Sequence, residues 1–156
     1  MTLGEIYAVD QGRSRLINSS VRGAVGTGDD VLIPGFAVSG GPRLLLVRTV
    51  GPGLIPFGIR DALARPAMEL RRNGSPAILV SNQGWTRDAF DPAAVEARSV
   101  LVGAFPLNPQ SADAAVLTAL DAQAYTVTAR GADGGTGIAL VEIYDANGVD
   151  RTLSNP

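Results

Sequence analysis

The chain has 156 residues, a formal net charge of −2 and a hydrophobic fraction of 46%. This length fits one domain, which would bury roughly two-thirds of the surface that its unfolded chain exposes. Cysteine and histidine are absent and all 13 basic residues are arginine. This composition excludes cysteine nucleophiles, Ser-His triads, Schiff-base lysines and metal sites built from histidine or cysteine. The small net charge argues against nucleic acid as a partner. The sequence has no run of about 18 apolar residues, so we expect no membrane insertion.

The first element along the chain is a short strand whose sequence recurs near the other end. Leu3–Tyr7 reads LGEIY and Leu140–Tyr144 reads LVEIY, and the match continues at the same offset of 137 (140 minus 3), where Leu16 corresponds to Leu153. A compact domain has one place for each strand. The duplication therefore predicts a repeat unit in a linear assembly, joined covalently or by strand exchange between chains.

Short apolar runs separated by glycine and proline follow, as is typical of an all-β sandwich or barrel. Asn73-Gly74 between two such runs predicts a hairpin, and Asp91-Pro92 predicts a helix N-terminus. The predicted strands are Val31–Val38, Arg43–Val50, Met68–Arg72, Pro76–Ser81, Val100–Ala104, Ala114–Leu120, Tyr125–Arg130 and Gly137–Tyr144, and the predicted helical turns are Gly58–Ala64 and Asp91–Arg98. We therefore expect an all-β fold, a jelly-roll-like or Greek-key sandwich of about eight strands with one or two short helical turns.

Two of these strands differ in their apolar pattern. Arg43–Val50 is apolar almost throughout, which predicts cover on both faces, whereas Tyr125–Arg130 alternates and predicts one solvated face. Arg48 within the first of them needs a partner, and Glu142 or Glu5 would supply a buried or half-buried ion pair. A ligand-binding role for Arg48 is the alternative. The Gly-Pro-Gly sequence after Val50 predicts a tight turn with a positive φ.

The glycine-rich sequence around Asp29 and Asp30 superficially resembles a phosphate loop. It lacks the Gly-Lys of a P-loop and precedes a strand instead of opening a helix, so it predicts an ordinary turn. Asp29 and Asp30 are weak candidates for calcium, a cation that takes six to eight oxygen ligands. No other cofactor is expected.

Trp85 is the single tryptophan of the chain. It could stack on a sugar, but the lone tryptophan of a small sandwich is more often part of the core. Asp88 and Asp91 are close in sequence, yet glycosidase chemistry requires two carboxylates facing each other across a cleft. We therefore expect no catalytic residues and no enzymatic activity.

Stretches spread over nearly the whole chain carry a resemblance to a known family. They are Leu16–Asp29, Leu32–Phe36, Val47–Leu54, Phe57-Gly58, Trp85, Asp113–Ala115, Ala124–Thr126 and Thr136–Asp145. The chain resembles a repeat of large secreted bacterial proteins, and that repeat resembles β-sandwich domains of the pre-peptidase C-terminal type. The resemblance implies an extracellular or cell-surface address and an accessory or structural role. It also implies that the chain starts inside one repeat and finishes at the start of the next.

The sequence departs from this family at two places. The related domains tend to carry an aspartate before Pro66 and an Asn-Asp pair before the tryptophan, where this chain has Arg65 and Ser81–Gly84. If relatives bind calcium in that region, this copy lacks carboxylates for it.

Three explanations of the duplicated strand stay open: coincidence, one repeat cut from a covalent array, and strand donation between subunits. The hypothesis carried forward is a bacterial structural module whose residues 1–13 form a donor strand and linker and whose residues 14–156 form the sandwich. Copies of the protein would associate head to tail into filaments, with Leu3, Glu5, Ile6 and Tyr7 at the interface. The alternative is a carbohydrate- or calcium-binding accessory module of a secreted enzyme or adhesin, which predicts an exposed Trp85.

Overall fold

The computed structural model describes residues 17–147, which form two four-stranded antiparallel sheets packed face to face. The strands are β1 (Asn18–Val25), β2 (Gly35–Ala37), β3 (Arg43–Val50), β4 (Pro66–Arg72), β5 (Ile78–Asn82), β6 (Ala114–Leu120), β7 (Ala124–Gly131) and β8 (Gly137–Asp145). Sheet A has the order β1-β8-β3-β6 and sheet B the order β2-β7-β4-β5. A 3₁₀ helix, η1 (Pro52–Phe57), and one α-helix, α1 (Pro92–Leu101), lie between strands. The predicted all-β sandwich is confirmed.

Most strand predictions agree with the structure. The bounds of β3 and β6 are those expected, and β4, β5, β7 and β8 differ from prediction by one or two residues. The hairpin at Asn73-Gly74 is confirmed, with Gly74 at φ 75°. Its connection is longer than two residues, because Arg71 is paired with Ile78 and the turn between them closes through the Ser75 amide and the Arg72 carbonyl.

Two element predictions are wrong and one strand is shorter than expected. Within residues 31–38 the regular strand is β2, because Pro34 has no N–H to donate, but Leu32 still pairs with Ala129 of β7 on the other side of the proline. The strand expected over Val100–Ala104 is instead the end of α1 and the turn that follows it. Gly58–Ala64 is not helical, because the helical turn comes earlier, in η1, and ends where Gly58 adopts φ 88°. The N-cap of α1 is confirmed: the Asp91 side chain accepts a hydrogen bond from the Ala94 amide.

The core between the sheets follows the period of two that strands impose. Val127 of β7 and Val47 of β3 point into this core. The other face of sheet A is covered as well, because Leu46 packs there against Trp85 and against Val95 of α1. This second cover explains why β3 is apolar almost throughout, as expected, while β7 alternates.

The turn after β3 does not have the positive φ that its Gly-Pro-Gly sequence suggested. Gly51 has φ −123°. Glycine is required there for a different reason, since a Cβ on Gly51 would lie 2.0 Å from the carbonyl oxygen of Leu63. The close approach of two backbones, and not a left-handed conformation, therefore fixes this residue.

Candidate functional site

A buried charged cluster lies on the outer face of sheet A. Arg48 of β3 is opposite Glu142 of β8, and its Nε lies 3.0 Å from Glu142 Oε2. Its Nη1 donates to the Phe105 carbonyl at 2.7 Å, and its guanidinium carbon lies 4.4 Å from the centre of the Phe105 ring. Arg48 is 0% exposed. The predicted buried ion pair is confirmed with Glu142 as partner, while Glu5 lies outside the described residues.

The contact between Arg48 and Glu142 is an ion pair without a well-directed hydrogen bond. The Arg48 Nε and Glu142 Oε2 atoms are at ion-pair distance, but the angle between them is poor for a hydrogen bond. Burial lowers the pKa of Arg48, and the Glu142 charge opposes that change. The Tyr144 hydroxyl donates to Glu142 Oε1 at 2.7 Å. Burial, together with this carboxylate, raises the pKa of Tyr144 to about 12, so the tyrosine stays neutral at physiological pH.

A second buried carboxylate, Asp113, fixes the start of η1. Its oxygens accept hydrogen bonds from the Gly51 amide at 2.8 Å, from the Gly53 amide at 3.1 Å and from the Ser111 hydroxyl at 2.7 Å. Sequence reasoning did not assign it a role. The available signal was a lone carboxylate next to an apolar strand, which indicates a buried acceptor for backbone amides.

The position of η1 creates a cleft of about 470 Å³ over the outer face of sheet A. The Phe57 and Phe105 rings form its apolar walls and meet edge to face with their centres 5.0 Å apart. Phe57 is 64% exposed. The cleft is lined by Ser20, Arg22, Leu54, Phe57, Ile59, Phe105 and Leu140. It therefore reaches from the covered part of sheet A to the outermost strand, β1.

The free edge of β1 is the second feature of this region. Within residues 17–147, β1 pairs with β8 alone, over eight residues. The Asp145 amide donates to the Ile17 carbonyl, which sets the alternation of hydrogen-bonded pairs along the ladder. Asn18, Ser20 and Arg22 consequently direct their backbone N–H and C=O groups away from β8. These groups are the template that an added strand requires.

The calcium candidates do not converge on a common site. Asp29 and Asp30 are both exposed in the loop after β1, which closes through a hydrogen bond from the Gly26 amide to the Asp30 carbonyl. In the described part of the chain, no group of three or more acidic side chains is placed to hold a metal ion. The same residues include no helix of the length and apolarity that crossing a membrane demands.

Trp85 is 4% exposed and belongs to the second apolar cluster. Its indole N–H donates to the Asn108 carbonyl at 3.1 Å. A buried ring leaves no face on which a sugar could stack, so Trp85 has the position of a core residue. Asp88 and Asp91 accept hydrogen bonds from the Gln83 and Ala94 amides respectively, and both therefore cap backbone groups.

The predicted assembly residues lie outside the described range. They are Leu3, Glu5, Ile6 and Tyr7. The structure does place the strand that they copy: β8, which contains Leu140–Tyr144, pairs with β1 on one side and with β3 on the other.

A solved structure has a fold similar to that of this chain. The fold is similar to the crystal structure of the pre-peptidase C-terminal domain of collagenase from Bacillus anthracis, at 12% identity over 81% of this chain and 89% of that chain, with a TM-score of 0.49. This is the type of domain that the sequence resembles. No family model and no curated protein matches the chain.

Proposed function

We propose that this protein is an extracellular bacterial structural module that associates head to tail through its N-terminal segment and builds filaments. The proposal rests on one observation: the sandwich has no vacant position for a second copy of the LVEIY strand. The position of LVEIY is already filled by β8, between β1 and β3. Its copy, Leu3–Tyr7, can therefore join a complete sandwich only at a sheet edge.

An added edge strand would stabilise a contact between subunits in two ways. It satisfies backbone groups that otherwise face water, and it buries apolar side chains, here Leu3, Ile6 and Tyr7. At about 25 cal/mol per Å², these side chains contribute several kcal/mol of gross stabilisation before the cost of ordering the segment is subtracted. Because the donor and the acceptor are different parts of the chain, the contact is heterologous and propagates into a filament unless the rotation closes a ring.

The buried ionisable groups also support a structural role. Arg48 and Glu142 bind each other, and Asp113 binds the backbone of η1. Each of these groups is engaged in holding the fold together. The extracellular bacterial address is supported by the resemblance of the sequence to repeats of secreted bacterial proteins.

Deleting residues 1–9 tests the proposal directly. We expect the shortened chain to remain folded, with an unchanged circular dichroism spectrum, and to sediment as a monomer while the full chain sediments as large assemblies. Polymers of unchanged size from the shortened chain would contradict strand donation.

A matched pair of point variants separates the strand from simple charge effects. Ile6→Asp places a carboxylate in the copied strand and should strongly reduce the assembled mass. Gln11→Asp adds the same charge in the linker and should leave assembly intact. Equal behaviour of the two variants in sedimentation would argue against a specific role of the strand.

A further inference from the structure

Arg22 of β1 is a charged side chain without an ion pair among residues 17–147. It lies on the outer face of β1, is exposed and lines the cleft. Its neighbour across the ladder is Leu140, and Ser20 is the next residue on the same face of β1. The face around Arg22 therefore offers apolar and hydroxyl groups, and the carboxylate on it, Glu142 opposite Ser20, is already engaged by Arg48 and Tyr144.

Resting on the proposed function, we infer that the acceptor is the free edge of β1 and that Leu3–Tyr7 of a second copy pairs with it antiparallel. The register is the one that β8 uses on the other side of β1, where Asn18 is opposite Tyr144 and Arg22 is opposite Leu140. Subtracting the offset of 137 places Tyr7 opposite Asn18 and Leu3 opposite Arg22.

This register places a second carboxylate near Arg22, on the side of β1 away from Glu142. Glu5 falls opposite Ser20 and on the same outer face as Arg22, since residues directly opposite share a face of the sheet. Diagonal neighbours across a strand pair lie about 7–8 Å apart, which long side chains can span. A slip of one residue would turn Glu5 to the inner face, so the ion pair also selects the face that the donor presents.

The same register gives the donor's apolar residue a surface. Leu140 lines the cleft from β8. Leu3, its copy, would stand on the same outer face on the far side of Arg22. It would extend the apolar lining toward the edge and cover the stem of the arginine side chain.

The other edges of the sandwich are poorer acceptors. In sheet B, β2 has only three residues and follows Pro34, while β5 has five residues and pairs with a strand that is irregular at Leu70/Arg71. In sheet A, the Ala115 amide of β6 already donates to the Asn82 side chain. With eight residues and no proline, β1 is the longest edge strand in the described part of the chain.

Cross-linking tests the edge and the register together, because the natural chain has no cysteine. One preparation carries Gly4→Cys and a second, with a size tag, carries Val21→Cys. They are unfolded in urea, mixed and refolded under oxidising conditions. In the proposed register these residues form a non-hydrogen-bonded pair with Cα atoms about 4.5 Å apart, which suits a disulfide. We expect the mixed disulfide on a non-reducing gel.

The matched control is Ser20→Cys in place of Val21→Cys. It lies one residue away with its side chain on the opposite face, so it should give little or no mixed disulfide with Gly4→Cys. Equal yields from the two acceptors, or no product from Val21→Cys, would overturn the proposed register. If the 1–9 deletion is nevertheless monomeric, head-to-tail assembly stands and another edge accepts the strand.

Charge exchange tests the ion pair separately. Arg22→Glu or Glu5→Arg alone should lower the affinity between subunits at least about two- to fivefold. Each variant places two like charges next to each other across the interface. The double variant should recover most of that loss. Single variants that assemble like the unmodified protein, or a double variant no better than the singles, would remove Arg22 from the interface.

Discussion

The outer faces of the two sheets carry the same kind of charged cluster in opposite surroundings. On sheet A, Arg48 and Glu142 are buried beneath Phe105. On sheet B, Glu69 accepts hydrogen bonds from Arg71 and Arg130 on an open face, where the Arg130 side chain is 41% exposed. The residue types are the same in the two clusters. The cover over sheet A is therefore the reason that the Arg48–Glu142 pair matters more for the free energy of unfolding.

The cover of the outer face of sheet A ends at η1. Helix α1 and the loops around it seal the part of the sheet near Trp85. Beyond η1 the face opens into the cleft and then to the edge of β1 that no strand within residues 17–147 covers. Within residues 17–147, sheet A therefore combines the buried Arg48–Glu142 pair with the free edge of β1, the edge at which we propose assembly.

The largest effect should come from breaking the buried pair. We expect Glu142→Gln to lower the free energy of unfolding by about 3–5 kcal/mol, because it leaves the Arg48 charge buried without compensation. Urea denaturation of the protein shortened by residues 1–9 measures this without interference from assembly.

A double variant checks that explanation. Arg48→Met combined with Glu142→Gln removes the buried charge, so it should recover much of the lost stability. If the single variant loses less than about 1 kcal/mol, the pair is better solvated than its burial indicates.

An intermediate effect is expected at the start of η1. Asp113→Asn should cost about 1–3 kcal/mol, because the amide lacks the negative charge and one of its two acceptor positions. Hydrogen exchange at Gly51 and Gly53 should accelerate in this variant while exchange in β7 is unchanged. Uniform acceleration throughout the protein would mean that Asp113 supports the whole fold and not η1 alone.

The smallest effect belongs to the open face of sheet B. Burial would raise the pKa of Glu69, but the hydrogen bonds and charges of Arg130 and Arg71 outweigh it and lower that pKa below its ordinary value of 4.5. The carboxylate therefore stabilises the fold above the unfolded-state pKa, and this contribution is lost as pH falls through the lower, folded-state value.

Removing that carboxylate should cost little. We expect Glu69→Gln to cost about 1 kcal/mol or less at pH 7. The difference from the unmodified protein should shrink as pH falls below 4.5, which thermal unfolding across pH values can follow. A difference independent of pH would show that packing of Glu69, and not its charge, is responsible.

Sequence patterns predicted the apolar strands well and the polar edge strand β1 poorly. β3 and β6 are apolar and packed, so their pattern reports their burial. β1 was not predicted, because an edge strand of Asn, Ser and Gly residues buries little and has weak periodicity. Residues Val100 and Leu101 suggested a strand although they end α1 largely exposed, since short apolar runs do not distinguish helix from strand.

The candidate site was likewise predictable from the sequence in part only. The partner of Arg48 could be narrowed to two glutamates, because a charge within an apolar strand requires compensation. The sequence around Asp113 indicates a buried acceptor, but the partners of Asp113 in η1 and the cleft beside β1 could not be predicted. Both depend on the place where η1 meets sheet A, which involves residues about 60 positions apart.

Electron microscopy of the full chain beside the chain lacking residues 1–9 tests the central claim most directly. Head-to-tail strand donation predicts filaments of the full chain with an axial repeat of one sandwich domain, and dispersed single particles of the shortened chain. Dispersed particles from both proteins, or filaments from both, would contradict it.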